Sequence, residues 1–185
     1  LRAAIGDTPL IFTRRAVADA GQPIAIDDNA VLRLYDKVAA AGLVDILEFE
    51  MDGSPAHVRR VREIASRHGA QLMLSYHNHE STPDAGELLE LFEEGERQMA
   101  DVVKIAVMPR VRDDVLNLLV ATARADAKLG IPVISMSMVA SSLRGFIGSP
   151  LATICSRSSF ASAGGKSLTQ RAAAASVMSA STTIG

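Results

Sequence analysis

A lysine lies in the middle of a short apolar stretch, Asp101–Pro109, in which most other residues are Val, Ile, Ala or Met. The stretch predicts a buried strand that ends at Pro109. Burial disfavours the ammonium form of a lysine, and a neutral amine is a nucleophile toward carbonyl carbons. Lys104 therefore indicates Schiff-base chemistry, unless it lies on an edge strand or extends its head to solvent.

A histidine follows the preceding predicted strand. His77 comes just after Ala70–Ser75, and histidine gains and loses protons near neutral pH. An imine formed between Lys104 and a ketone would act as an electron sink while His77 moved protons. The two residues thus form a functional pair, although His77 taken alone could be a loop histidine without a role.

Further polar and sulfur-containing residues occur in or just after predicted strands. Arginine offers a planar fork for a substrate carboxylate, and a carboxylate orients an imidazole ring. Because these residues share a position in or just after strands, we favour one common site for them. The alternatives are a surface ion pair for the arginine and a solvated edge strand for the acids. These residues are Arg15, Glu48, Glu50, Met136 and Met138.

Predicted strands and helices alternate along the chain. The strands are Pro9–Thr13, Val44–Met51, Ala70–Ser75, Asp101–Pro109 and Val133–Met138, with Gly148–Ile154 as a last short strand. Amphipathic patterns and capping residues predict helices over Asn29–Ala41, from Ser54 to Gly69, from Thr82-Pro83 onward, from Arg112 to Leu129, and over Leu168–Ala180.

Alternation with short connections predicts about six right-handed βαβ-type units and a parallel sheet. A closed (β/α)8 barrel needs eight units and typically about 250 residues, so a length of 185 residues fits a flavodoxin-like open sheet better. The polar strand residues nevertheless favour a barrel, because open α/β sheets are apolar on both faces whereas a barrel directs polar residues into its active-site end. These residues are Glu48, Glu50, Lys104, Ser135 and Ser137.

The composition limits the classes of protein. Hydrophobic residues make up 48% and aromatic residues 4%, which predicts an aliphatic core, and the net charge of −2 favours neither nucleic acid nor an acidic membrane. Cys155 is the only cysteine, which predicts a reducing, cytoplasmic location. No apolar run is long enough to span a bilayer, and Leu1–Ala4 lacks the hydrophobic stretch of a signal peptide. The absence of an initiator Met suggests a fragment or a processed chain.

From about Pro9 to Lys166 the chain resembles type I 3-dehydroquinate dehydratase, a (β/α)8-barrel family of the shikimate pathway. The Val-Lys-Ile-Ala-Val-Met-Pro segment at 103–109 looks like the family's Schiff-base strand, which implies that Lys104 is the imine lysine. Ser-Tyr-His-Asn at 75–78, followed by Thr82-Pro83, resembles the catalytic-histidine segment and implies that His77 is the general acid and base.

The resemblance implies further site residues. Phe-Thr-Arg-Arg at 12–15 is similar to the family's Phe-Thr-x-Arg, and Asp19 falls where the family has a glutamate that supports the histidine. Ser135–Met138 is similar to a Met-Ser-Met strand, and 162–166 to a changed Ser-Ala-Pro-Gly-Gln lid motif. The substrate-binding residues so implied are Arg15, Glu48, Glu50, Met136, Met138, Arg144, Ser162 and Lys166.

The implied activity is that of a hydro-lyase, which removes water from 3-dehydroquinate through the lysine imine without a metal or diffusible cofactor. The implied partner is this small-molecule substrate, and a homodimer is the implied assembly. The family's first two strands, which carry a Glu-x-Arg motif, are absent, so the barrel would not close. The segments on either side of Arg144 are also shorter than in the family, and Gly164 and Lys166 replace Pro and Gln.

Two other interpretations remain open at this point. Another Schiff-base barrel enzyme, such as a class I aldolase, would use a glycine-rich phosphate loop, for which Gly145–Gly148 and Gly164-Gly165 are candidates. An inactive, truncated barrel remnant is the second. In each case the sequence predicts a single partial barrel domain over 1–185, with 167–185 as a weakly constrained C-terminal helix or tail.

Overall fold

The computed structural model describes residues 2–14, 26–138 and 151–155, with only the backbone path for residues 2, 3 and 151–155. In chain order these ranges form α1 (Arg2–Ile5), β1 (Ile11–Thr13), α2 (Asp28–Ala40), β2 (Ile46–Glu50), α3 (Pro55–His68), β3 (Gln71–Asn78), α4 (Ala85–Arg97), β4 (Val102–Val107), α5 (Arg112–Lys128), β5 (Val133–Met138) and β6 (Leu151–Cys155).

The strands form one sheet in the order β1-β2-β3-β4-β5-β6. The first five strands are parallel to one another. A doubly wound fold reverses its strand order at a switch point, and this sheet does not reverse. The sequential order is that of consecutive units in a (β/α)8 barrel. The predicted parallel α/β fold is confirmed, and the flavodoxin-like alternative is wrong.

The helices cover one face of the sheet. Alternate residues of the strands form a single hydrophobic cluster with α2, α3, α4 and α5, in which the largest buried side chains include Tyr35, Leu47, Leu72, Phe92 and Ile105. The opposite face carries a second, smaller apolar cluster of Ile46, Met73 and Val102, with Ile134 packed against it. Across the described ranges, no helix combines the length and apolar character needed to cross a membrane.

Two aspartates tie neighbouring strands together at their N-terminal ends. Asp45 Oδ2 accepts a 2.7 Å hydrogen bond from the backbone N–H of Leu10. Asp101 Oδ2 accepts one of the same length from the N–H of Leu72, and Arg62 donates to the same oxygen at 2.6 Å. Each carboxylate lies just before its own strand, so these bonds hold the register of β1 against β2 and of β3 against β4.

A glycine allows α4 to approach the central strand closely. Gly95 is buried, and a Cβ added there would lie 2.9 Å from Val103 Cγ1 and 3.3 Å from Val103 Cβ. Carbon atoms pack without strain at about 3.5–4.0 Å. Any side chain at position 95 would therefore push α4 away from β4, the strand that carries Lys104.

The last strand runs in the opposite direction to the others. β6 is antiparallel to β5, with Met136 opposite Thr153 and Met138 opposite Leu151. A sixth βα unit, as predicted, would need a parallel strand. The described ranges therefore hold five parallel strands, and β6 does not continue the βα series, so the prediction of a sixth unit is wrong there.

The predicted boundaries mostly agree with the observed ones. The predicted strand Pro9–Thr13 is two residues longer than β1. The helix α4 begins at Ala85 rather than at Thr82-Pro83, because Asp84 and Glu87 form a reciprocal capping box. The predicted helix at Leu168–Ala180 and the tail at 167–185 lie outside the described residues.

We expect Gly95→Ala to lower the free energy of unfolding. Overpacking costs about 1–3 kcal/mol, which exceeds the gain in helix propensity of at most about 1 kcal/mol. Urea denaturation of the wild type, Gly95→Ala, Val103→Ala and the double variant would measure the coupling between the two positions. Strictly additive effects would show that Val103 is not what restricts position 95.

Candidate active site

The charged residues lie on the sheet face that points away from the helices. Side chains alternate between faces along a strand, so Glu48 and Glu50 share the face of Ile46, and Lys104 shares the face of Val102. The register aligns Glu50 of β2, Ser75 of β3 and Lys104 of β4 in one row across the sheet. The row lies on the C-terminal side of the smaller apolar cluster, where barrel enzymes build their sites.

Lys104 pairs with a carboxylate two strands away. Its Nζ lies 2.7 Å from Glu48 Oε1, and the two side chains are 14% and 6% exposed. Neighbouring strands are about 4.8 Å apart, so the pair spans β3 above Ser75, which is fully buried and small enough to leave room.

The contacts of Lys104 change part of the prediction. β4 pairs with strands on both sides, so the edge-strand alternative is wrong, and a side chain 14% exposed does not extend its head into solvent. The surroundings of Lys104 are not wholly apolar, however, because they include the carboxylate of Glu48. A buried lysine is normally paired with an opposite charge in this way.

A second acid pairs with the histidine. His77 Nδ1 lies 3.0 Å from Glu50 Oε2, with side chains 2% and 13% exposed. The strand predicted to end at Ser75 continues through His77 to Asn78, so His77 is a strand residue and not a loop histidine. Two acids that lie two residues apart on β2, Glu48 and Glu50, are thus each paired with one base.

The chain directly after His77 is fixed by a side-chain turn. Asn78 Oδ1 accepts hydrogen bonds of 2.9 Å from the N–H groups of both Glu80 and Ser81. The carbonyl of Ser81 in turn accepts from the N–H of Met108 at 3.3 Å. Asparagine commonly folds a turn in this way, and here the turn joins the C-terminal ends of β3 and β4.

Sequence reasoning gave no role to two residues beside His77. The ring of His79 stacks on that of His77, with centroids 6.1 Å apart and planes at 9°, and its Nε2 is buried without a hydrogen-bond partner among the described residues. Ser75 provides the room for the Lys104–Glu48 pair. Ser75 lies two residues before His77 in β3, and His79 lies one residue beyond the end of that strand. A spacing of two residues puts side chains on one face of a strand, and it was the signal in the sequence.

The two methionines of the predicted site lie on the same sheet face. The register aligns His77, Ala106 and Met136 in a second row, and Met138 lies two residues further along β5. Both are partly buried. The structure therefore brings together Lys104, His77, Glu48, Glu50, Met136 and Met138. The other predicted site residues, Arg15, Asp19, Arg144, Ser162 and Lys166, lie outside the described residues, as do the glycines at 145–148 and 164–165.

A cavity of about 240 Å³ adjoins Glu50 on the helix side of β2. Arg14, Phe49 and His57 are among its lining residues, whereas Lys104 and His77 are not. It is therefore a neighbour of the paired acids and bases and not the space above them. In the described ranges, no three histidine, cysteine or acidic residues come together as a metal site.

A buried tyrosine supports the strand that carries both acids. Tyr35 of α2 donates a 2.7 Å hydrogen bond to the carbonyl of Glu48, and its hydroxyl accepts one of 3.1 Å from the N–H of Arg14. Its ring makes edge contacts with Phe12 and Phe49 at 5.1 and 5.6 Å. Burial raises the pKa of Tyr35 to about 12, and the hydroxyl joins α2 to the ends of β1 and β2.

Comparison with known proteins decides the family. The family model described as type I 3-dehydroquinase matches residues 1–183. The chain belongs to this family. A 3-dehydroquinate dehydratase from Albidiferax ferrireducens is 42% identical over 138 residues, 75% of this chain and 52% of the relative. One from Shouchella clausii is 41% identical, over 75% of this chain and 54% of its own length. The chain thus spans about half the length of these relatives.

Solved structures agree in fold. Type I 3-dehydroquinate dehydratase from Clostridium difficile, crystallised with covalently modified comenic acid, has a TM-score of 0.71 and 32% identity, over 74% of this chain and 54% of that one. The 3-dehydroquinate dehydratase from Geobacillus kaustophilus has the same TM-score at 36% identity, over 74% of this chain and 53% of that one. The described sheet therefore corresponds to about half of a type I dehydroquinase.

We expect the contribution of Tyr35 to stability to depend on pH. Tyr35→Phe leaves the buried carbonyl of Glu48 and the partly buried N–H of Arg14 without their partner, a cost of roughly 1–3 kcal/mol. Because folding raises the pKa of Tyr35 from 10.0 to about 12, the stabilisation is complete below pH 10 and is lost as the pH rises toward 12. The difference in unfolding free energy between wild type and Tyr35→Phe should shrink over that range, and a constant difference would contradict this account.

Proposed function

We propose that this site has 3-dehydroquinate dehydratase activity: it removes water from 3-dehydroquinate to give 3-dehydroshikimate, through an imine on Lys104, in the shikimate pathway of aromatic amino-acid biosynthesis. The observation that carries the proposal is the burial of Lys104 and His77 on one sheet face, on adjacent strands, each within hydrogen-bonding distance of its own carboxylate. The family membership of the chain supports the same chemistry.

The reaction begins with the amine of Lys104. Glu48 Oε1, 2.7 Å from Nζ, accepts the proton that the ammonium group must lose before it can attack. The neutral amine then adds to the C3 ketone. The carbinolamine loses its hydroxyl group, which leaves as water with the proton that Glu48 took up, and a protonated imine remains. The imine nitrogen withdraws electrons from the neighbouring carbon atoms, so the C2–H bond becomes acidic.

His77 carries out the two later proton transfers. It removes the proton from C2, and the electrons of that bond move into the imine to form an enamine. The electrons then return to expel the C1 hydroxyl, which takes a proton from His77 and leaves as water. A second water molecule hydrolyses the conjugated imine, releases 3-dehydroshikimate and restores the amine of Lys104.

The remaining predicted residues complete the proposal. Met136 and Met138 lie on the reacting face and would contact the apolar side of the substrate ring. Arg15, Arg144, Ser162 and Lys166 are proposed to bind its carboxylate and hydroxyl groups, and Asp19 to support His77. We also propose a cytoplasmic location, which the single cysteine, Cys155, supports, and a homodimer, which the family resemblance supports.

We expect borohydride to trap 3-dehydroquinate on Lys104. Reduction of the imine in the 185-residue chain should leave a stable adduct on the peptide that contains Lys104, detectable by mass spectrometry. Lys104→Met keeps the length of the aliphatic side chain but lacks the amine, so it should give no adduct. Lys128→Ala is the matched control, because Lys128 is an exposed lysine paired with Glu93, and it should be labelled like the wild type.

A melting curve of the same preparation separates the alternatives. A chain that unfolds cooperatively and gives no adduct at Lys104 would contradict the proposed chemistry. A chain without a cooperative transition would favour the inactive remnant. Labelling in wild type and Lys104→Met alike would place the reactive amine elsewhere.

We expect His77→Ala to separate imine formation from dehydration. Removing a general acid and base typically slows turnover by about 10²–10⁴-fold, whereas addition of the ketone to Lys104 needs no proton from C2. Turnover, followed by the ultraviolet absorbance of the conjugated product, should therefore fall while the borohydride adduct persists. Loss of both would indicate a structural role for His77.

A further inference from the structure

His79 has no role in the steps above, although it lies beside the catalytic candidates. Its ring is parallel to that of His77 within 9°, and the two centroids are 6.1 Å apart. Its Nε2 is buried and has no hydrogen-bond partner among the described residues. We propose that His79 is a substrate-binding residue whose Nε2 donates a hydrogen bond to the C1 hydroxyl of 3-dehydroquinate, the group that leaves as water. The inference rests on the proposed function.

The backbone on both sides of His79 is fixed by hydrogen bonds. Asn78 Oδ1 accepts bonds of 2.9 Å from the N–H groups of Glu80 and Ser81. Arg110 Nε donates one of 2.7 Å to the carbonyl of Glu80. His79 therefore lies inside a turn that is held from within and from the segment after β4. A side chain carried by such a rigid turn is placed in advance for a ligand.

The buried nitrogen of His79 predicts a partner. Buried polar side-chain atoms are nearly always hydrogen-bonded, and one left unpaired lowers stability. A neutral imidazole has one N–H donor and one acceptor nitrogen, so Nε2 can pair with a hydroxyl group. The proposed substrate carries hydroxyl groups. A water molecule is the competing partner, and the experiment below separates the two.

The proposed reaction gives the substrate a direction along β3. Ser75 is level with Lys104 in the strand register, and His77 lies two residues nearer the C-terminal end. His79 lies two residues beyond His77. Lys104 holds C3 of the substrate and His77 acts on C2, so C3, C2 and C1 follow one another in this direction. C1 and its hydroxyl are therefore the part of the substrate nearest to His79.

One oxygen atom can contact both histidines. The C1 hydroxyl has to approach His77, because His77 gives it a proton as it leaves. A hydrogen bond from nitrogen to oxygen spans about 2.7–3.2 Å, and the ring centroids are 6.1 Å apart. An oxygen atom between the edges of the two rings is thus within reach of both. A hydroxyl oxygen has two acceptor lone pairs, one for each N–H group.

This hydrogen bond assists the departure of water and leaves the balance of the reaction unchanged. When the C1–O bond breaks, its electron pair moves to the oxygen, and His77 supplies the proton that completes the water molecule. His79 keeps its own proton and stabilises the negative charge that develops on the oxygen, as a donor placed in advance. His79 should therefore matter for the substrate, which has the C1 hydroxyl, and not for the product, which lacks it.

The test compares these two ligands in the 185-residue chain. Initial rates give kcat/KM for 3-dehydroquinate, and inhibition of those rates by added 3-dehydroshikimate gives the Ki of the product. His79→Phe keeps a stacking ring but removes both nitrogen atoms. We expect kcat/KM to fall by about tenfold or more, because one hydrogen bond corresponds to about that factor, while Ki stays the same.

Two amide variants form a second comparison. The amide nitrogen of His79→Gln takes the place of Nε2, whereas that of His79→Asn lies one bond nearer the backbone. Glutamine should therefore restore most of kcat/KM, and asparagine should not. His57→Phe is the matched control and should behave as the wild type, because His57 lies in α3 and lines the cavity on the helix side of β2.

Three results would overturn the proposal. The first is full activity in a folded His79→Phe, which would leave water as the partner of Nε2. The second is a rise in Ki by the same factor as the fall in kcat/KM, which would indicate packing or a contact with the carboxylate shared by both ligands. If His79→Phe does not fold, equal activity of the glutamine and asparagine variants is the third.

Borohydride labelling separates this inference from the proposed function. If the chain forms the adduct on Lys104 but turns over too slowly to measure, the concentrations of the two ligands that give half-maximal labelling replace the kinetic constants. A folded wild type without the adduct would contradict the proposed function, and this inference with it. An adduct in the wild type, with equal effects of His79→Phe on both ligands, would overturn the role of His79 alone.

Discussion

Charge pairing on a largely buried sheet face is the constraint on which this structure depends. A lone ammonium or carboxylate in such a place would cost several kcal/mol, so Lys104 requires Glu48 to remain on this face. The pairing in turn requires that β2 and β4 keep their register against β3. It also requires that the residue between them is as small as Ser75. The strand register is thus a condition for this charge pairing and for the proposed chemistry, and not only for the fold.

Local sequence patterns were enough to predict most of the elements. Val133–Met138 was predicted with the observed bounds, and the apolar run around Lys104 identified the central strand. These features follow from neighbours in the sequence. The start of α4 was misplaced because the capping box at Asp84 and Glu87 competes with the more conspicuous proline before it.

The partners of the catalytic candidates were not predictable in the same way. Glu48 and Lys104 are 56 residues apart, and Glu50 and His77 are 27 apart. Which acid meets which base depends on how three strands align, and a shift of one residue would turn the side chains to the other face. The antiparallel direction of β6 is likewise a matter of strand pairing, and the composition of Leu151–Cys155 does not reveal it.

Asp45 and Asp101 connect neighbouring strands at one end of the sheet, and the candidate site lies toward the other end. Both lie at the N-terminal ends of the strands and accept hydrogen bonds from backbone N–H groups, and Asp101 also pairs with Arg62. The acids that meet Lys104 and His77 lie nearer the C-terminal ends. Mutations that change the residues beyond the strand ends can therefore alter which molecules the site accepts while the strand alignment is kept. An architecture of this kind can acquire a new substrate without first losing its scaffold.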